Sequence, residues 1–513
     1  MNRVFFVFLV GLLTSTSTFA QEIGKCGTGL HENLAIRERM FENRETFKDQ
    51  MLIRGGAPFY VPVTYWMVAK ADGSGRITIK NVIENLCAIN RIYESLNIVF
   101  YLKAANSVNN SFIYDDPSST LGKAYINQFM LSNKNAINIF VGNVANASET
   151  GVLAFYTGDG DYIVSGKLYV GPNGTTLAHE IGHFFSLPHT FIGWEETTYL
   201  TVSNNCTVPP PVSIFYRGNE VKTEYVDRAK QGSNGKLHCN QSADGFCDTP
   251  ADYNLGFGFQ GPGCVYNGCA KDPDNAKLDP DEANLMSYFL DCIKNFSEEQ
   301  KAAITKDYLS SGRNYLRTPV YTPKPDITDA VNYLTPTGST PPLGYDTVRF
   351  DWDDVPNADK YVFEVAENIG FNINNKLFVL SHSDTVLYNL KKNANHYWRV
   401  TPYNTNSFCV VPKITNFRTP SWTVKSENIE ISNVQVYFRQ FDEQRITLTI
   451  KSDKEQSLHM QLFTNDGQGL IQSNYQLQSG DNNFEFDNLV PGIYYYRISE
   501  KTGRSNSGKF VKY

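Results

Sequence analysis

Apolar residues follow a helical period in one part of the first half of the chain and form continuous runs in other parts. Between residues 79 and 96 they recur every three or four positions, which predicts an amphipathic helix that buries Val82, Ile83, Leu86, Ile89, Ile92, Tyr93 and Leu96. Runs that are mostly apolar predict buried strands at 62–68, 97–102, 136–141 and 162–170. Residues 175–185 favour a second helix, whose start Asn173 or Thr175 can cap.

The second half of the chain has a different pattern. Residues 318–326 are rich in Pro and Thr, which is typical of a linker. Beyond them, residues 348–352 and 361–365 alternate between apolar and polar positions, as strands with one buried face do. We therefore predict two β units, one at 327–423 and one at 429–513.

The first 20 residues predict a signal peptide. Arg3 precedes a short apolar run, and Thr18-Phe19-Ala20 has the small-residue character of a cleavage site. No later segment has the roughly 18 consecutive apolar residues that a membrane-spanning helix needs. The sequence therefore predicts an exported protein with no transmembrane segment. The net charge of −7 over 513 residues gives no indication of a nucleic-acid partner.

Export into an oxidising compartment makes disulfides expected among the 9 cysteines. Six of them fall in a loop-rich region between Cys206 and Cys292, where bridges would replace a large apolar core. Their pairing cannot be deduced from spacing. An odd total leaves at least one thiol unpaired.

Candidate chemistry is concentrated in His179-Glu180-Ile181-Gly182-His183, followed six residues later by His189. On a helix, His179 and His183 share one face. The chain must turn before His189 can join them, and Pro188 suits such a break. Three neutral imidazoles leave the fourth position of a zinc ion open, with Glu180 beside it to hold a water. The alternative is an amphipathic core helix with buried histidines.

This motif resembles that of the metzincin peptidases, H-E-x-x-H-x-x-G-x-x-H, except that Ser186 stands where the family has Gly. A non-glycine residue at positive φ costs about 1–2 kcal/mol, and we still expect His189 to ligate. Asn284-Leu285-Met286-Ser287-Tyr288 resembles the Met-turn of the pappalysin family within that clan. The resemblance implies that Met286 lies beneath the metal and that Tyr288 stabilises the oxyanion.

By the same resemblance, residues 55–317 form an α+β metzincin catalytic domain, with a mixed twisted sheet, an active-site helix and a loop-rich C-terminal subdomain. Residues 21–54 are then a short pro-segment. Its Lys25-Cys26-Gly27-Thr28 is similar to the pappalysin segment whose thiolate occupies the open zinc position. The alternatives for Cys26 are an ordinary disulfide or a free thiol.

Asp291 lies five residues after Met286, where pappalysin-like enzymes place an Asp at the floor of the pocket for the residue after the cut. The resemblance implies cleavage before Arg, with Lys second, because a carboxylate pairs with such cations. Cys292 follows directly, whereas the family has one residue between. Because of this one-residue difference in spacing, the alternative stays open that Asp291 lies outside the pocket and only stabilises the local fold.

Two acidic stretches, 244–251 and 272–282, offer carboxylates to structural calcium. The first resembles the D-x-x-x-D-T-P stretch of pappalysins, and for the second a solvated acidic loop is an equal alternative.

The β unit at 327–423 resembles a fibronectin type III sandwich. The last unit contains Gly492-Ile493-Tyr494-Tyr495-Tyr496-Arg497-Ile498 and ends in Gly508-Lys509-Phe510-Val511-Lys512-Tyr513. With these stretches it resembles the C-terminal sorting domain of the type IX secretion route of the Bacteroidetes, and a plain β-sandwich is the alternative. That resemblance implies secretion or surface display through the type IX machinery.

The sequence thus favours a secreted zinc endopeptidase (EC 3.4.24) that acts on protein or peptide substrates. The alternative is an inactive adhesin or carbohydrate-binding or protein-binding protein with a zincin fold, for which Ser186 is the best sequence argument.

Overall fold

The computed structural model describes residues 24–48, 57–258, 264–289, 292, 294–421, 434–440, 445–464, 468–487, 489–490, 492–501 and 504–512. Within these residues the chain contains both helices and strands, which confirms the mixed α and β content of the predicted fold class. The subdomain layout expected of a metzincin stays a prediction, as do the domain boundaries. The predicted signal peptide and Asp291 lie outside the described residues.

A six-stranded sheet forms the centre of the first half, with the strand order β1-β5-β6-β4-β2-β3. Neighbouring strands are parallel except for β5 and β6, which are antiparallel. The strands are β1 (Lys25–Cys26), β2 (Phe59–Ala69), β3 (Ile98–Asn109), β4 (Ile137–Gly142), β5 (Val152–Thr157) and β6 (Tyr162–Gly166). The strands β2 and β4 are almost wholly buried, which explains their continuous apolar runs.

Helices cover both faces of this sheet. They are α1 (Leu30–Thr46), α2 (Ile79–Tyr93), α3 (Ser111–Asp115), α4 (Thr120–Asn133), α5 (Thr175–Phe184), α6 (Tyr199–Val202) and α7 (Glu298–Leu309). Residues of α1, α2, α5 and α7 share one apolar core with one face of the sheet, and residues of α3 and α4 pack on the other.

The predicted helix at 79–96 is confirmed with a small difference at its end. A capping box between Thr78 and Asn81 starts α2. Its last turn tightens into a 3-10 turn, Glu94–Leu96, which ends at Asn97 with a left-handed φ of 55°. The strand predicted at 162–170 is too long, because β6 ends at Gly166 and a 3-10 turn, Lys167–Tyr169, follows. The helices α3 and α4 and the strand β5 were not predicted.

A loop-rich segment joins α5 to α7 and contains the hairpin β7 (Ser213–Tyr216) and β8 (Asn219–Lys222). Three disulfides cross-link it, and they pair Cys206 with Cys269, Cys239 with Cys247, and Cys264 with Cys292. The prediction that bridges would hold this region together is therefore confirmed. Cys26 is the free cysteine.

The remaining strands build the two β units. They are β9 (Tyr333–Thr335), β10 (Thr347–Trp352), β11 (Lys360–Ala366), β12 (Lys376–Leu380), β13 (Asp384–Tyr388), β14 (Asn395–Tyr403), β15 (Thr415–Arg418), β16 (Val434–Gln440), β17 (Arg445–Ser452), β18 (Gln456–Thr464), β19 (Gly469–Leu477), β20 (Gly480–Asp487), β21 (Gly492–Glu500) and β22 (Ser505–Lys512). No helix in the described part of the chain combines the length and apolar character needed to cross a bilayer.

The two β units each have an apolar core of their own, and they are joined through one sheet. A single eight-stranded sheet contains β15-β14-β11-β12 of the first unit and β19-β18-β21-β22 of the second. Phe378 of β12 pairs with Gly469 of β19, and a Cβ atom at Gly469 would lie 2.3 Å from the Phe378 ring. Only glycine permits this approach.

The first β unit is fastened to the sheet that carries the candidate site. Cys87 of α2 forms a disulfide with Cys409, 322 residues away. In the linker that precedes this unit, the ring of Tyr321 stacks on that of Tyr101 of β3, with their centroids 3.7 Å apart. The position of this unit is therefore fixed covalently as well as by packing.

Candidate metal centre

The helix α5 carries the first part of the candidate site, and packing rather than a side-chain cap determines where it begins. Its N-cap is Gly174, with φ 70° and no side-chain hydrogen bond. A Cβ atom there would lie 2.5 Å from Cβ of Ala88 on α2, so only glycine fits between the two helices. The cap predicted at Asn173 or Thr175 is therefore wrong. The Thr175 hydroxyl instead donates to the Asn173 side chain.

The end of α5 confirms the predicted turn. Ser186 has φ 68°, in the left-handed region. The Leu187 N–H donates to the Gly182 carbonyl and the Ser186 N–H to the His183 carbonyl, each at 3.0 Å. This pair of bonds is the Schellman arrangement that ends many helices. It reverses the chain, so that His189 returns to the face of α5 that carries His179 and His183.

The Ser186 hydroxyl has partners that a glycine would lack. It donates to Asp307 Oδ1 at 2.5 Å and accepts from Arg39 Nε at 2.7 Å. Asp307 is buried on α7 and also accepts from Arg313 Nε. The hydroxyl therefore joins the end of α5 to α7 and offsets part of the cost of its left-handed backbone.

Replacing Ser186 should lower stability in a defined order. Ser186→Ala keeps the unfavourable φ and loses hydrogen bonds to charged groups, at about 1.5–3 kcal/mol. Ser186→Gly loses the same bonds but recovers about 1–2 kcal/mol of backbone strain. Urea unfolding of both variants should rank wild type above Gly and Gly above Ala, with the exposed Ser148→Ala as control. An alanine variant as stable as wild type would contradict this account.

Four ligand-type side chains converge above α5. The Cys26 thiol and one ring nitrogen from each of His179, His183 and His189 all lie within 4.8 Å of one another. The Nε2 atoms of His183 and His189 are 3.2 Å apart, and Cys26 Sγ is 3.6 Å from His183 Nε2. In the described part of the chain, no other group of three or more His, Cys, Asp or Glu is gathered so closely.

Hydrogen bonds on the far side of the rings set two of the three tautomers. His179 Nδ1 is 2.7 Å from the Leu285 carbonyl, and His183 Nδ1 is 2.8 Å from the Leu187 carbonyl. A carbonyl only accepts, so each Nδ1 carries the proton and each Nε2 presents a lone pair. Burial lowers the pKa of His179 to about 3. Burial thus favours the neutral imidazole, which is the form that binds metal, and the hydrogen bond decides which nitrogen of that neutral ring is free.

Two buried polar atoms at this place have no partner among the described residues, namely His179 Nε2 and Glu180 Oε1. A buried polar atom without a partner is costly and calls for an explanation. A cation held by the three Nε2 atoms would satisfy the first, and a water beside that cation would satisfy the second. The residues present therefore fit a zinc ion.

Glu180 projects beside the cluster from α5. Its Oε2 accepts from the Thr28 hydroxyl at 3.2 Å. Loss of water contact raises the pKa of the Glu180 carboxyl to about 8. The same cause, together with the nearby Glu180 charge, raises the pKa of the Cys26 thiol, and a bound cation would act in the opposite direction.

Met286 and Tyr288 both lie beside the cluster, whereas the roles that the Met-turn resemblance implies for them stay predictions. Met286 is fully buried, and a Cβ atom on Gly182 would lie 2.5 Å from its sulfur, so α5 rests directly on this side chain. The Tyr288 ring centroid is 5.2 Å from that of His189. The Tyr288 hydroxyl donates to the Cys26 carbonyl at 3.1 Å. Its phenol is thus at the edge of the cluster.

The N-terminal segment lies across the site. The strand β1 pairs in parallel with β5 at the edge of the sheet, and Gly27 N donates to the Ala154 carbonyl at 2.7 Å. From there α1 follows the same side of the molecule, and Arg39 donates to the carbonyls of His183 and Phe184 at the end of α5. Residues 24–48 therefore contact both the cluster and the helix that carries it.

The structure brings together every site residue predicted from the sequence except Asp291, which lies outside the described residues. Four further residues at the site were missed by sequence reasoning: Thr28, Asn33, Arg39 and Glu195. Three of them belong to the N-terminal segment: Thr28 stands in the motif around Cys26 but was given no role of its own, and no motif includes Asn33 or Arg39. Their only sequence signal was proximity to Cys26, and that of Glu195 was proximity to His189.

The carboxylates of the two acidic stretches accept hydrogen bonds from their own turns and from distant residues, as Asp248 does from Ser297 and Glu299. Asp244 accepts from the Phe246 N–H and from the Thr249 hydroxyl, at 3.0 and 2.9 Å. The carboxylate of Asp272 accepts backbone N–H groups, from Val226, Asp274 and Ala276. These contacts stabilise turns, and calcium binding stays a prediction.

Comparison with known proteins gives likenesses to solved structures of low sequence identity. No protein-family model matches the chain, and no curated protein matches its sequence. A promirolysin variant from Tannerella forsythia is 14% identical, over 57% of this chain and 97% of that one, with a TM-score of 0.33. Mature mirolysin from Tannerella forsythia, solved with a cleaved peptide, is 14% identical over 52% of this chain and 97% of that one, with a TM-score of 0.29.

The FN1–FN3 domains of chicken CNTN1 are 8% identical, over 37% of this chain and 69% of that one, with a TM-score of 0.17. All three TM-scores lie below 0.5. The function proposed below therefore depends on the side-chain geometry of the candidate centre.

Proposed function

We propose that this protein is a secreted zinc endopeptidase whose N-terminal segment keeps it latent. The observation that supports this most directly is the convergence of Cys26, His179, His183 and His189 around one point, with the Glu180 carboxylate beside it. Three histidines with a fourth, exchangeable position are typical of catalytic zinc. His179 Nε2 is buried without a hydrogen-bond partner, and a bound cation would give it one.

In the proposed reaction, zinc supplies positive charge that polarises the peptide carbonyl and lowers the pKa of water toward 7. Glu180 accepts the proton of the attacking water through Oε1, the oxygen that has no protein partner. The same carboxyl then gives that proton to the leaving nitrogen. Tyr288 donates its hydroxyl hydrogen to the oxygen on which negative charge develops.

Latency follows from what the N-terminal segment touches. Cys26 Sγ is placed among the histidine nitrogens, and the Thr28 hydroxyl donates to Glu180. Tyr288 donates to the Cys26 carbonyl in place of a substrate oxygen. Residues 26–28 therefore lie against the histidine cluster, the Glu180 carboxyl and the Tyr288 hydroxyl, and they would block a substrate until this segment leaves.

The test is zinc content and proteolysis of the full chain before and after limited proteolysis of the N-terminal segment. We expect about one zinc per chain, and cleavage of casein or gelatin that appears on processing and disappears with a chelator. A processed protein that contains zinc and cleaves nothing would favour the alternative, an inactive binding protein. The sequence argument for that alternative was Ser186, and its ordinary helix-ending turn removes that argument.

The proposed specificity is cleavage before Arg, with Lys second, and it depends on Asp291. A peptide library should show Arg after the cut preferred over Leu, and Asp291→Ala should reduce that ratio about tenfold or more, since one lost charge-assisted bond is worth at least 1.4 kcal/mol. Asp279→Ala, at an exposed acidic position, is the control. Cuts before large apolar residues that are unchanged in Asp291→Ala would remove Asp291 from the pocket.

A further inference from the structure

His189 differs from the other two histidines in what its outer nitrogen faces. The Nδ1 atoms of His179 and His183 face backbone carbonyls, whereas His189 Nδ1 lies 3.3 Å from Glu195 Oε1. The side chain of His189 is fully buried and that of Glu195 is 8% exposed, so this contact is shielded from water. A carboxyl oxygen in this position can accept a hydrogen bond from the ring.

Asn33 is the other side chain at His189 Nδ1, with its Nδ2 at 3.1 Å. The orientation of this amide follows from its other contacts. Its Oδ1 accepts from the His189 backbone N–H at 2.9 Å, and its Nδ2 donates to the carbonyls of Thr28 and Gly29, at 2.9 and 3.1 Å. Both hydrogens of Nδ2 are thus committed to carbonyls, and Asn33 has no acceptor to offer to a proton on Nδ1.

Glu195 is therefore the acceptor for an Nδ1–H of His189. With the proton held on Nδ1, the lone pair of Nε2 points toward the neighbouring Nε2 of His183, 3.2 Å away, where a shared cation would lie. The carboxylate is itself held in place, because Glu195 Oε2 accepts from the Gly193 N–H at 2.8 Å. Gly193 lies outside the N-terminal segment, so this hydrogen bond does not involve that segment.

We infer that Glu195 is a positioning residue that holds His189 in the tautomer and orientation needed to bind zinc. The inference rests on the proposed zinc centre and adds to it a residue outside the ligand set. Carboxylates behind metal-bound imidazoles raise the basicity of the ligand, and their loss usually weakens metal binding 10- to 100-fold. Asn33 leaves with the N-terminal segment, whereas Glu195 stays, so the role extends to the processed enzyme.

The test compares zinc affinity of the full chain in four forms: wild type, Glu195→Ala, Glu195→Gln and the control Glu196→Ala. Glu196 is the adjacent, exposed glutamate, so its variant changes charge at nearly the same place without touching His189. Each metal-free protein is titrated with zinc in competition with a chelating indicator. We expect Kd to rise about 10- to 100-fold in Glu195→Ala, less in Glu195→Gln, which keeps one acceptor oxygen, and not at all in Glu196→Ala.

Two further measurements separate positioning from a general structural role. Thermal unfolding of the metal-free proteins should give similar midpoints, while the increase of Tm on adding zinc should be smaller in Glu195→Ala. Nitrogen-15 NMR of histidine-labelled protein reports tautomers directly. It should show His189 protonated at Nδ1 in metal-free wild type and shifted toward Nε2–H in Glu195→Ala.

Failure of this inference is distinguishable from failure of the proposed function. If wild type does not bind zinc, the metal centre itself is wrong. If wild type binds zinc and Glu195→Ala binds it within twofold as tightly, with the His189 tautomer unchanged, Glu195 has no positioning role. Should Glu195→Ala fail to fold, Glu195→Gln decides by the same two readouts.

Discussion

Replacing Glu180 with glutamine is expected to remove nearly all proteolysis while leaving the zinc content of the protein unchanged. Glutamine fills the same buried space but cannot take up the proton of the attacking water. General-base catalysis contributes about a hundred- to ten-thousand-fold, so kcat/KM of the processed enzyme should fall by at least a hundredfold. The three histidines and their hydrogen bonds to Leu285, Leu187 and Glu195 are not altered by this change.

The measurement pairs kcat/KM on a fluorogenic peptide with metal analysis of the same sample. Glu220→Gln, at an exposed position on β8, is the matched control and should behave as wild type. Because zinc is measured alongside activity, loss of the base is distinguished from loss of the metal. A Glu180→Gln enzyme that retains zinc and cleaves within threefold of wild type would show that another group accepts the proton.

The ligand set could be predicted from sequence because its geometry is mostly local. Residues four apart on a helix must share a face, and the third histidine could join them only if the chain reversed after Phe185. The left-handed Ser186 makes that reversal. The start of the same helix could not be predicted, because it depends on how closely α5 approaches Ala88 of α2. That distance is a property of tertiary packing, and no local pattern encodes it.

Contacts between distant parts of the chain account for the other differences. Sequence left the pairing of Cys26 open, and β1 reaches the cluster only because it joins β5, more than 120 residues later. Period-two patterns predicted the strands of the β units but not their shared sheet, which depends on one pairing between Phe378 and Gly469. Strand partners are chosen by fit across the sheet, which the alternation of one strand does not specify.

The role of Cys26 can be tested on the unprocessed chain. Cys26→Ala should raise precursor activity about tenfold or more over the wild-type precursor, because the ligand position facing His183 is no longer filled by a thiolate. Cys26→Ser, which is nearly isosteric but a poor zinc ligand, should have the same effect. Activity is measured on a peptide substrate, and intact mass confirms that residues 24–48 are still attached.

The rise should stop short of the processed enzyme, because other contacts hold the segment in place. Arg39 donates to Ser186 Oγ and to the carbonyls of His183 and Phe184, and its guanidinium is 3.4 Å from Asp307 Oδ1. Hydrogen bonds of this charged kind are worth about 1.5–3 kcal/mol, equivalent to about a tenfold to hundredfold change in the population of the docked segment.

Adding Arg39→Ala to Cys26→Ala should therefore raise precursor activity again by a similar factor, while Arg39→Ala alone should have a smaller effect, since the thiolate still blocks the metal.

Precursors of Cys26→Ala and Cys26→Ser that are as inactive as wild type, with zinc bound, would show that the thiol does not block the centre. In that case the double variant shows whether the docking of α1 causes the latency instead of the thiol. Activity that appears only when Arg39 is also replaced would assign latency to the docking of α1.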